Sequence, residues 1–272
     1  MHELIIEAGR TERQYWRDLW KYRELSYFLA WRDLLVRYKQ TVVGVAWSLI
    51  RPFLTMIVLT VVFGKFGKMP SGGVPYAILV SCGLLPWQFF STALSESGNS
   101  LVNNANLITK VYFPRLVIPA SSVVTSFVDF VISAAFLVLL MIWYHFAPSP
   151  NILFLPLFVM LAFAASLGVG MWIAALMVEY RDFRFIVPFI VQFGLYISPV
   201  GFYSNVVPEQ WRPLYSLNPM VGVIDGFRWA ILGGEQAIYL PGMIVSVLGA
   251  VVLLITGIRH FRNTERTFAD VI

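Results

Sequence analysis

The chain begins with a polar, amphipathic stretch and continues as a series of long apolar segments separated by short polar connections. Six of these segments are long enough to cross the hydrocarbon core of a bilayer, which takes about 20 helical residues. The pattern therefore predicts an all-α integral membrane protein with six transmembrane helices. The predicted spans are 44–63, 76–95, 117–144, 152–178, 185–203 and 240–258.

The segment 1–43 precedes the first span and predicts an amphipathic arm of two short helices. Trp16 and Trp20 share one face of the first helix, and Trp31 and Tyr38 share one face of the second. An aromatic face opposite charged residues suits a helix that lies in the lipid headgroup layer. The alternative is a helix packed against soluble protein. We expect a cytoplasmic arm at the membrane interface.

Polar connections divide the predicted membrane domain, 44–258, and a short tail of residues 259–272 follows it. The connections at about 96–116 and 179–184 are charged, and each is either a solvated end anchor or a docking surface for a partner. The region 204–239 holds a moderately apolar stretch that is too short to span. It predicts re-entrant helices in the outer leaflet before the last span.

Lysine and arginine are distributed unevenly between the two sides of the predicted spans. With the N-terminus inside, 15 of these residues lie on the inner side and four on the outer side. The long arm inflates this difference, but the shorter loops show the same bias. Both termini are therefore predicted to be cytoplasmic in a multi-pass protein of the plasma membrane.

Composition supports the membrane assignment. The 272 residues are 58% hydrophobic and only 13% charged, which is too apolar for a soluble domain of this length. The net charge of +5 comes from residues at segment ends rather than from one basic face, so nucleic acid is not predicted as a partner. The single cysteine, Cys82, provides no intrachain disulfide and no thiolate metal cluster.

Recognisable catalytic motifs are missing from the sequence. No phosphate-binding loop is present, because Gly67 and Lys68 are followed by methionine and the first glycine of the motif is absent. The three histidines, His2, His145 and His260, are scattered, and no metal site is predicted. No serine lies in a nucleophile elbow. We expect neither an ATPase site nor a bound cofactor on this chain.

Two charged residues lie inside predicted spans. Asp129 lies well inside the third span, and Arg51 lies in the first span beside Pro52. A charge within the membrane is costly, so each should face protein or water and find a partner. Either residue could belong to a substrate path or a gating ion pair. The alternatives are a structural pair, or for Arg51 a side chain that reaches the inner headgroups.

Aromatic and small residues form two further patterns. Small residues four apart on the fourth span, such as Ala164 and Gly168, predict close helix packing within the chain or between two copies.

Aromatic rings stack on sugar rings without demanding one linkage, so an aromatic subset could line a polymer path. The alternative is an ordinary interfacial aromatic belt. The candidates for the path are Trp87, Phe89, Phe90, Tyr196, Phe202 and Tyr203.

Several stretches together resemble the permease subunit of the ABC-2 type polysaccharide and polyol-phosphate exporters, most closely those that export lipid-linked O antigen. The order and spacing of these stretches cover nearly the whole chain. They are Arg37–Gly44 running into Trp47 and Arg51-Pro52, Gly83–Phe90, Asn106–Arg115, Tyr180–Phe183 and Ser216–Met220.

The resemblance implies a homodimer joined to two separate ATP-binding subunits, which would hold the ATP and magnesium. It implies that the arm at about 12–40 is an interface helix and that 204–239 lies near a channel exit. The cargo would be a polysaccharide on an undecaprenyl lipid. Capsule, teichoic acid, lipid or drug efflux and an intramembrane transferase are the alternatives. The implied ATPase-coupling residues are Asn106, Lys110, Tyr112, Phe113, Pro114, Arg115, Arg181 and Asp182.

Overall fold

The computed structural model describes residues 12–39, 44–233, 238–265 and 268. Parts of the predicted arm and tail, and the motif residues 40–43, lie outside the described residues. All regular elements in the described part are helices, as the sequence predicts. They are α1 (Glu12–Lys21), α2 (Arg23–Lys39), α3 (Gly44–Leu59), α4 (Tyr76–Asn103), α5 (Ala105–Lys110), α6 (Val117–Trp143), α7 (Leu155–Glu179), α8 (Phe183–Ile197), α9 (Arg212–Tyr215), α10 (Pro219–Leu232) and α11 (Leu240–Thr264).

Five helices in the described part of the chain are long and apolar enough to cross a membrane. The first combines most of α3 with the π-helical turns that follow it, and the fourth includes a 3₁₀ turn before α7. The chain is therefore an integral membrane protein by length and composition. The five segments are Leu49–Phe66, Tyr76–Asn103, Val117–Trp143, Pro150–Glu179 and Leu240–Thr264.

The remaining predicted span, 185–203, corresponds to α8, which is shorter than predicted. This helix has 15 residues, so it is about 22 Å long at 1.5 Å per residue. It ends because Ser198 precedes Pro199, and a residue before proline is disfavoured in the α conformation. Ser198 accordingly has an extended backbone. The chain continues through 198–203 without regular structure.

The centre of the bundle is α4, which is the most deeply buried of the five long helices. It packs against α6, α7 and α10, and its apolar residues form much of the main core. The helix α10, which the sequence predicts as a separate short apolar element, lies inside the bundle between α4, α7 and α11. Met220, Ile224 and Phe227 of α10 are fully buried there.

Small residues on α7 allow two neighbouring helices to approach closely. A Cβ atom on Gly168 would lie 2.6 Å from the backbone nitrogen of Leu254 in α11. A Cβ atom on Gly170 would lie 2.8 Å from the Ser97 hydroxyl of α4. These glycines therefore serve helix packing within the chain, which was one of the two predicted alternatives.

A second apolar cluster joins the arm to one end of the bundle. We call it the arm junction. It brings together residues from α2, α5, the 111–116 connection, the end of α7 and the end of α11, so distant parts of the sequence meet there. Its buried members include Leu29, Ile108, Phe113, Leu116, Val117, Val178, Phe261 and Phe268.

Candidate functional site

A large cavity lies beside α4 and is bounded by α3, α6, α8 and the end of α2. Its volume is about 840 Å³. Apolar side chains form part of its wall, but charged and neutral polar groups from all five of these helices line it as well. A cavity of this size and mixed polarity can hold a hydrated, hydroxyl-bearing molecule.

Polar residues of α4 form a continuous stripe along this cavity. Gln88, Ser91, Thr92, Ser95 and Glu96 all line it. They recur every three or four residues, so they share one face of the helix. The Ser91 and Ser95 hydroxyls donate to carbonyl oxygens one turn earlier, at 3.1 and 2.9 Å. Their oxygen lone pairs can still accept hydrogen bonds from a molecule in the cavity.

The stripe was missed in the sequence analysis, although its signal is present there. A stripe of hydroxyl, amide and carboxylate groups on an otherwise apolar helix recurs with helical periodicity. Such groups are costly in a membrane unless they face protein or water. Aromatic rings alone define the predicted polymer path, so its candidate residues do not include the hydroxyl and amide side chains of the stripe.

Two of the predicted path aromatics line the cavity. Trp87 packs over Gly194, so close that a Cβ atom there would lie 2.4 Å from the indole ring. This contact holds α8 against α4. Phe89 is only 2% exposed and its ring lies 5.6 Å from that of Phe130. Phe89 is therefore a core residue of the bundle, and its role in a polymer path stays a prediction.

The other four predicted aromatics are spread over different surroundings. Phe90 packs on Trp87 with ring centroids 5.7 Å apart, and Tyr196 is exposed. Phe202 packs on Phe63, and Tyr203 is buried. Neither Phe202 nor Tyr203 lines the large cavity, so within one chain the six aromatics do not form a single continuous surface.

Asp129 has the partners that the sequence analysis expected for a charge inside a span. Arg37 of α2 donates a hydrogen bond to one of its carboxylate oxygens, and the Tyr38 hydroxyl donates to the other. Arg37 also pairs with Glu96 of α4 at 2.6 Å. Arg51 lies near the start of the first apolar segment with its side chain exposed along the cavity wall. Both predicted charges therefore line one cavity.

The irregular segment 198–203 is held by polar side chains, and this arrangement was also missed. Arg228 of α10 is 3% exposed and donates to the carbonyl of Val200 at 2.7 Å and to that of Phe202. The Tyr215 hydroxyl donates to the Ile197 carbonyl at 2.7 Å. Because backbone groups away from water need partners, the Arg228 contact allows the buried Val200 to lie in irregular backbone.

The predicted coupling stretch divides into an exposed part and a buried part. Asn106, Lys110 and Tyr112 are exposed, and Tyr112 reaches 53%. Phe113 is only 5% exposed, and Pro114 is buried with it. A direct contact of these two side chains with a partner is therefore blocked by the chain's own arm junction.

Arg115 connects the coupling stretch to the end of α11. Its guanidinium donates to the backbone carbonyl of Glu265. The Glu265 carboxylate accepts from the Tyr15 hydroxyl at 2.9 Å, which joins α1 to the same point. Burial, and then the Glu265 carboxylate, raise the pKa of the Tyr15 phenol, so it stays protonated and donates. The arm, the coupling stretch and the tail thus share one contact site.

The second predicted coupling loop lies at the same end of the bundle. Arg181 and Asp182 are exposed just before α8. Val178, in the last turn of α7, belongs to the arm junction together with Ile108 and Phe113. Both polar connections therefore flank one apolar cluster and present exposed charges beside it.

The arm presents its predicted tryptophans to the surroundings. Trp16, Trp20 and Trp31 are exposed, and Trp20 reaches 72%. Tyr38 instead faces inward to Asp129, which shows that the aromatic residues of α2 do not all share one environment. Exposed indole rings on a helix that packs against membrane-spanning segments fit the headgroup layer.

Comparisons with known proteins agree with this architecture. Residues 24–232 match the family described as ABC-2 type transporter. The O-antigen export system permease protein RfbA of Myxococcus xanthus is 30% identical over 258 residues, covering 94% of this chain and 98% of that protein. The protein of the same name from Klebsiella pneumoniae is 26% identical, covering 89% and 92%. The polysialic acid transport protein KpsM of Escherichia coli is 22% identical, covering 86% and 91%.

Proposed function

The chain belongs to the ABC-2 type transporter family, and we propose that it is the permease subunit of an ATP-driven exporter of cell-surface polysaccharide. The relatives named as export and transport proteins align over nearly their whole length. The large cavity supplies the physical support for this assignment. It offers a surface of hydroxyl, amide and carboxylate groups inside a chain that is otherwise apolar.

The polar stripe of α4 is the observation on which the proposal rests. A sugar polymer carries many hydroxyl groups, and each loses hydrogen bonds to water when it enters a membrane protein. Neutral acceptors and donors along the wall replace those bonds without fixing one sugar sequence. Trp87 lines the same cavity but is buried against α8, so the proposed hydrogen-bonding surface is formed by the polar stripe.

Six membrane crossings are proposed, with the sixth formed by α8 and the irregular segment 198–203 together. Arg228 and Tyr215 support this reading, because Arg228 donates to the Val200 carbonyl of the irregular segment and Tyr215 donates to the Ile197 carbonyl at the end of α8. The buried α10 is proposed as a re-entrant helix in the outer leaflet. The chain would then consist of a cytoplasmic interface arm at 1–43, a membrane domain at 44–258 and a cytoplasmic tail at 259–272.

Energy for transport is proposed to come from a separate subunit that binds ATP and magnesium. Two copies of that subunit would dock on a homodimer of this chain at the exposed groups around the arm junction. The proposed contacts are Asn106, Lys110, Tyr112, Arg181 and Asp182, because their side chains are exposed at the protein surface. Nucleotide binding would favour one of two permease conformations through different contacts in each.

O antigen on an undecaprenyl lipid is the proposed cargo, and the bacterial inner membrane is the proposed location. The relatives named for O-antigen export are 30% and 26% identical, against 22% for the polysialic acid transport protein. Capsule, teichoic acid and lipid or drug cargo are the alternatives within the same family. Mass spectrometry of the glycan that copurifies with the complex distinguishes these cargoes.

The experiment that tests the proposed function makes the stripe apolar. Ser91→Leu with Ser95→Leu removes two hydroxyls from the cavity wall while leaving the docking groups unchanged. We expect surface glycan to fall at least about tenfold, because hydroxyls of the cargo then lose hydrogen-bond partners. ATP hydrolysis by the complex is expected to continue.

The control variant is Val131→Leu on α6, which changes an exposed side chain that does not line the cavity. Surface glycan should stay at the normal level in this variant. Normal export by the double-leucine variant, with the protein present at wild-type abundance, would contradict the assignment of the stripe to the transport path.

A further inference from the structure

A second, smaller cavity adjoins the large one along the same helix. Its volume is about 480 Å³, and it lies between α2, α4 and α6. Val36 is the single apolar side chain among the described residues that line it. Ser100 and Asn103 of α4 form part of its wall and continue the polar stripe by a further two turns. Two polar chambers are therefore arranged in sequence along α4.

Arg37 and Glu96 form the partition between the chambers, since both residues line both cavities. The guanidinium of Arg37 pairs with Glu96 at 2.6 Å, and its other terminal nitrogen donates to Asp129. We call these three residues the ion-pair partition. They come from α2, α4 and α6, so the partition closes only while α2 is packed beside the two spans.

The arm helix also connects the partition to the coupling stretch. Arg32, five residues before Arg37 on α2, donates to the Asn104 side chain at 2.8 Å. Asn104 is the residue immediately before α5, which carries the exposed Asn106 and Lys110. A displacement of α5 would thus act on α2 through Arg32 and move Arg37 on the same rigid helix.

Given the proposed function, we propose that the smaller chamber receives the hydroxyl-rich glycan first and that the ion-pair partition is the gate into the larger chamber. Withdrawal of Arg37 by α2 opens the gate. Sugar hydroxyls can donate to Glu96 and Asp129 and accept from Arg37. The glycan that passes through therefore replaces the hydrogen bonds that are lost when the gate opens. Charged groups here therefore serve both as the closed seal and as polar contacts for the cargo.

The gate is tested by thiol accessibility in the full chain, co-expressed with its ATP-binding subunit, in inside-out membrane vesicles. Ser91→Cys reports on the larger chamber and Asn103→Cys on the smaller one. Both cysteines are introduced separately into a Cys82→Ala background, so that each variant carries one cysteine in this chain. A membrane-impermeant maleimide is added from the cytoplasmic face without nucleotide or glycan.

With the partition intact, Asn103→Cys should react quickly and Ser91→Cys slowly. In Arg37→Ala, labelling of Ser91→Cys should accelerate at least about tenfold, because loss of a charge-assisted hydrogen bond favours the open state by that order. An equal labelling rate of Ser91→Cys with and without Arg37 would overturn the gate. Slow labelling of Asn103→Cys would overturn the smaller chamber as the entry site.

Arg37→Ala leaves two carboxylates without their partner and could impair folding. The second variant therefore combines Arg37→Met, Glu96→Gln and Asp129→Asn, which removes all three charges together. It should give the same fast labelling of Ser91→Cys, and slow labelling would overturn the gate. Because labelling needs no cargo, this result is separate from the proposed function, which fails instead if the wild-type complex exports no glycan.

Discussion

Adjacent aromatic residues in the connection between α5 and α6 should respond to substitution in opposite ways. Tyr112 is exposed, whereas Phe113 lies inside the arm junction beside Leu29, Phe261 and Phe268. The family resemblance implies that both rings belong to one ATPase-coupling stretch. In the structure, Tyr112→Ala removes a candidate contact for the partner, and Phe113→Ala removes part of the chain's own core.

The expected magnitudes follow from this difference in burial. Truncation of a buried phenylalanine to alanine costs about 3–5 kcal/mol, because apolar contacts are lost and a cavity remains. That loss is a large part of a total stability of about 5–15 kcal/mol. Truncation of an exposed tyrosine changes stability by about 0.5 kcal/mol or less.

The assay compares both variants with the wild type after co-expression with the ATP-binding subunit. Thermal unfolding of the purified permease in lipid nanodiscs measures stability. ATP hydrolysis by the complex and surface glycan on cells measure coupling. Phe113→Ala should unfold at a clearly lower temperature and accumulate poorly. Tyr112→Ala should unfold like the wild type, but its ATP hydrolysis should no longer be matched by export.

Two results would refute this reasoning. A wild-type unfolding temperature for Phe113→Ala would mean that the ring is not part of a packed junction. Wild-type export by Tyr112→Ala, combined with wild-type export by Lys110→Ala, would mean that this stretch is not the docking surface.

Two further predictions concern the packing of the bundle. Gly257→Ala should destabilise the protein by about 1–3 kcal/mol, because its Cβ would lie 2.3 Å from the Gly168 carbonyl oxygen. The control is Gly249→Ala on the same helix, which should be neutral or stabilising because the atom nearest to its Cβ lies 3.6 Å away. Equal unfolding temperatures for the two variants would contradict the close crossing of α7 and α11. Arg228→Met should cost about 1–3 kcal/mol for each buried carbonyl it leaves unpaired, and unchanged thermal unfolding would show that the Val200 carbonyl has another partner.

Elements defined by apolar length could be predicted from the sequence. Five of the six predicted spans correspond to long apolar helices, and the short apolar stretch before the last span is the helix α10. The end of α8 was placed too late because the apolar run continues past Ser198. Pro199 ends the helix because it disfavours the α conformation at Ser198, but a span predicted from hydrophobicity alone does not include this local effect.

Contacts between distant residues could not be predicted in the same way. Asp129 pairs with Arg37, which lies 92 residues earlier in the sequence, and with the adjacent Tyr38, both on a helix expected to face the headgroups. Phe113 occurs in a polar connection, and only the packing of the arm and α11 against it makes it a core residue. Such pairings depend on how separate helices meet, which periodicity within one helix does not specify.

Reconstitution of the purified chain into proteoliposomes with lipid-linked glycan tests directly whether a separate subunit supplies the energy for transport. Transport into the lumen is measured with the ATP-binding subunit and ATP, and again with the chain alone. ATP-dependent transport is expected only when the subunit is present, and the chain alone should hydrolyse no ATP. Transport by the chain without the subunit, or hydrolysis of ATP by the chain itself, would contradict the claim that this protein supplies the path while a separate subunit supplies the energy.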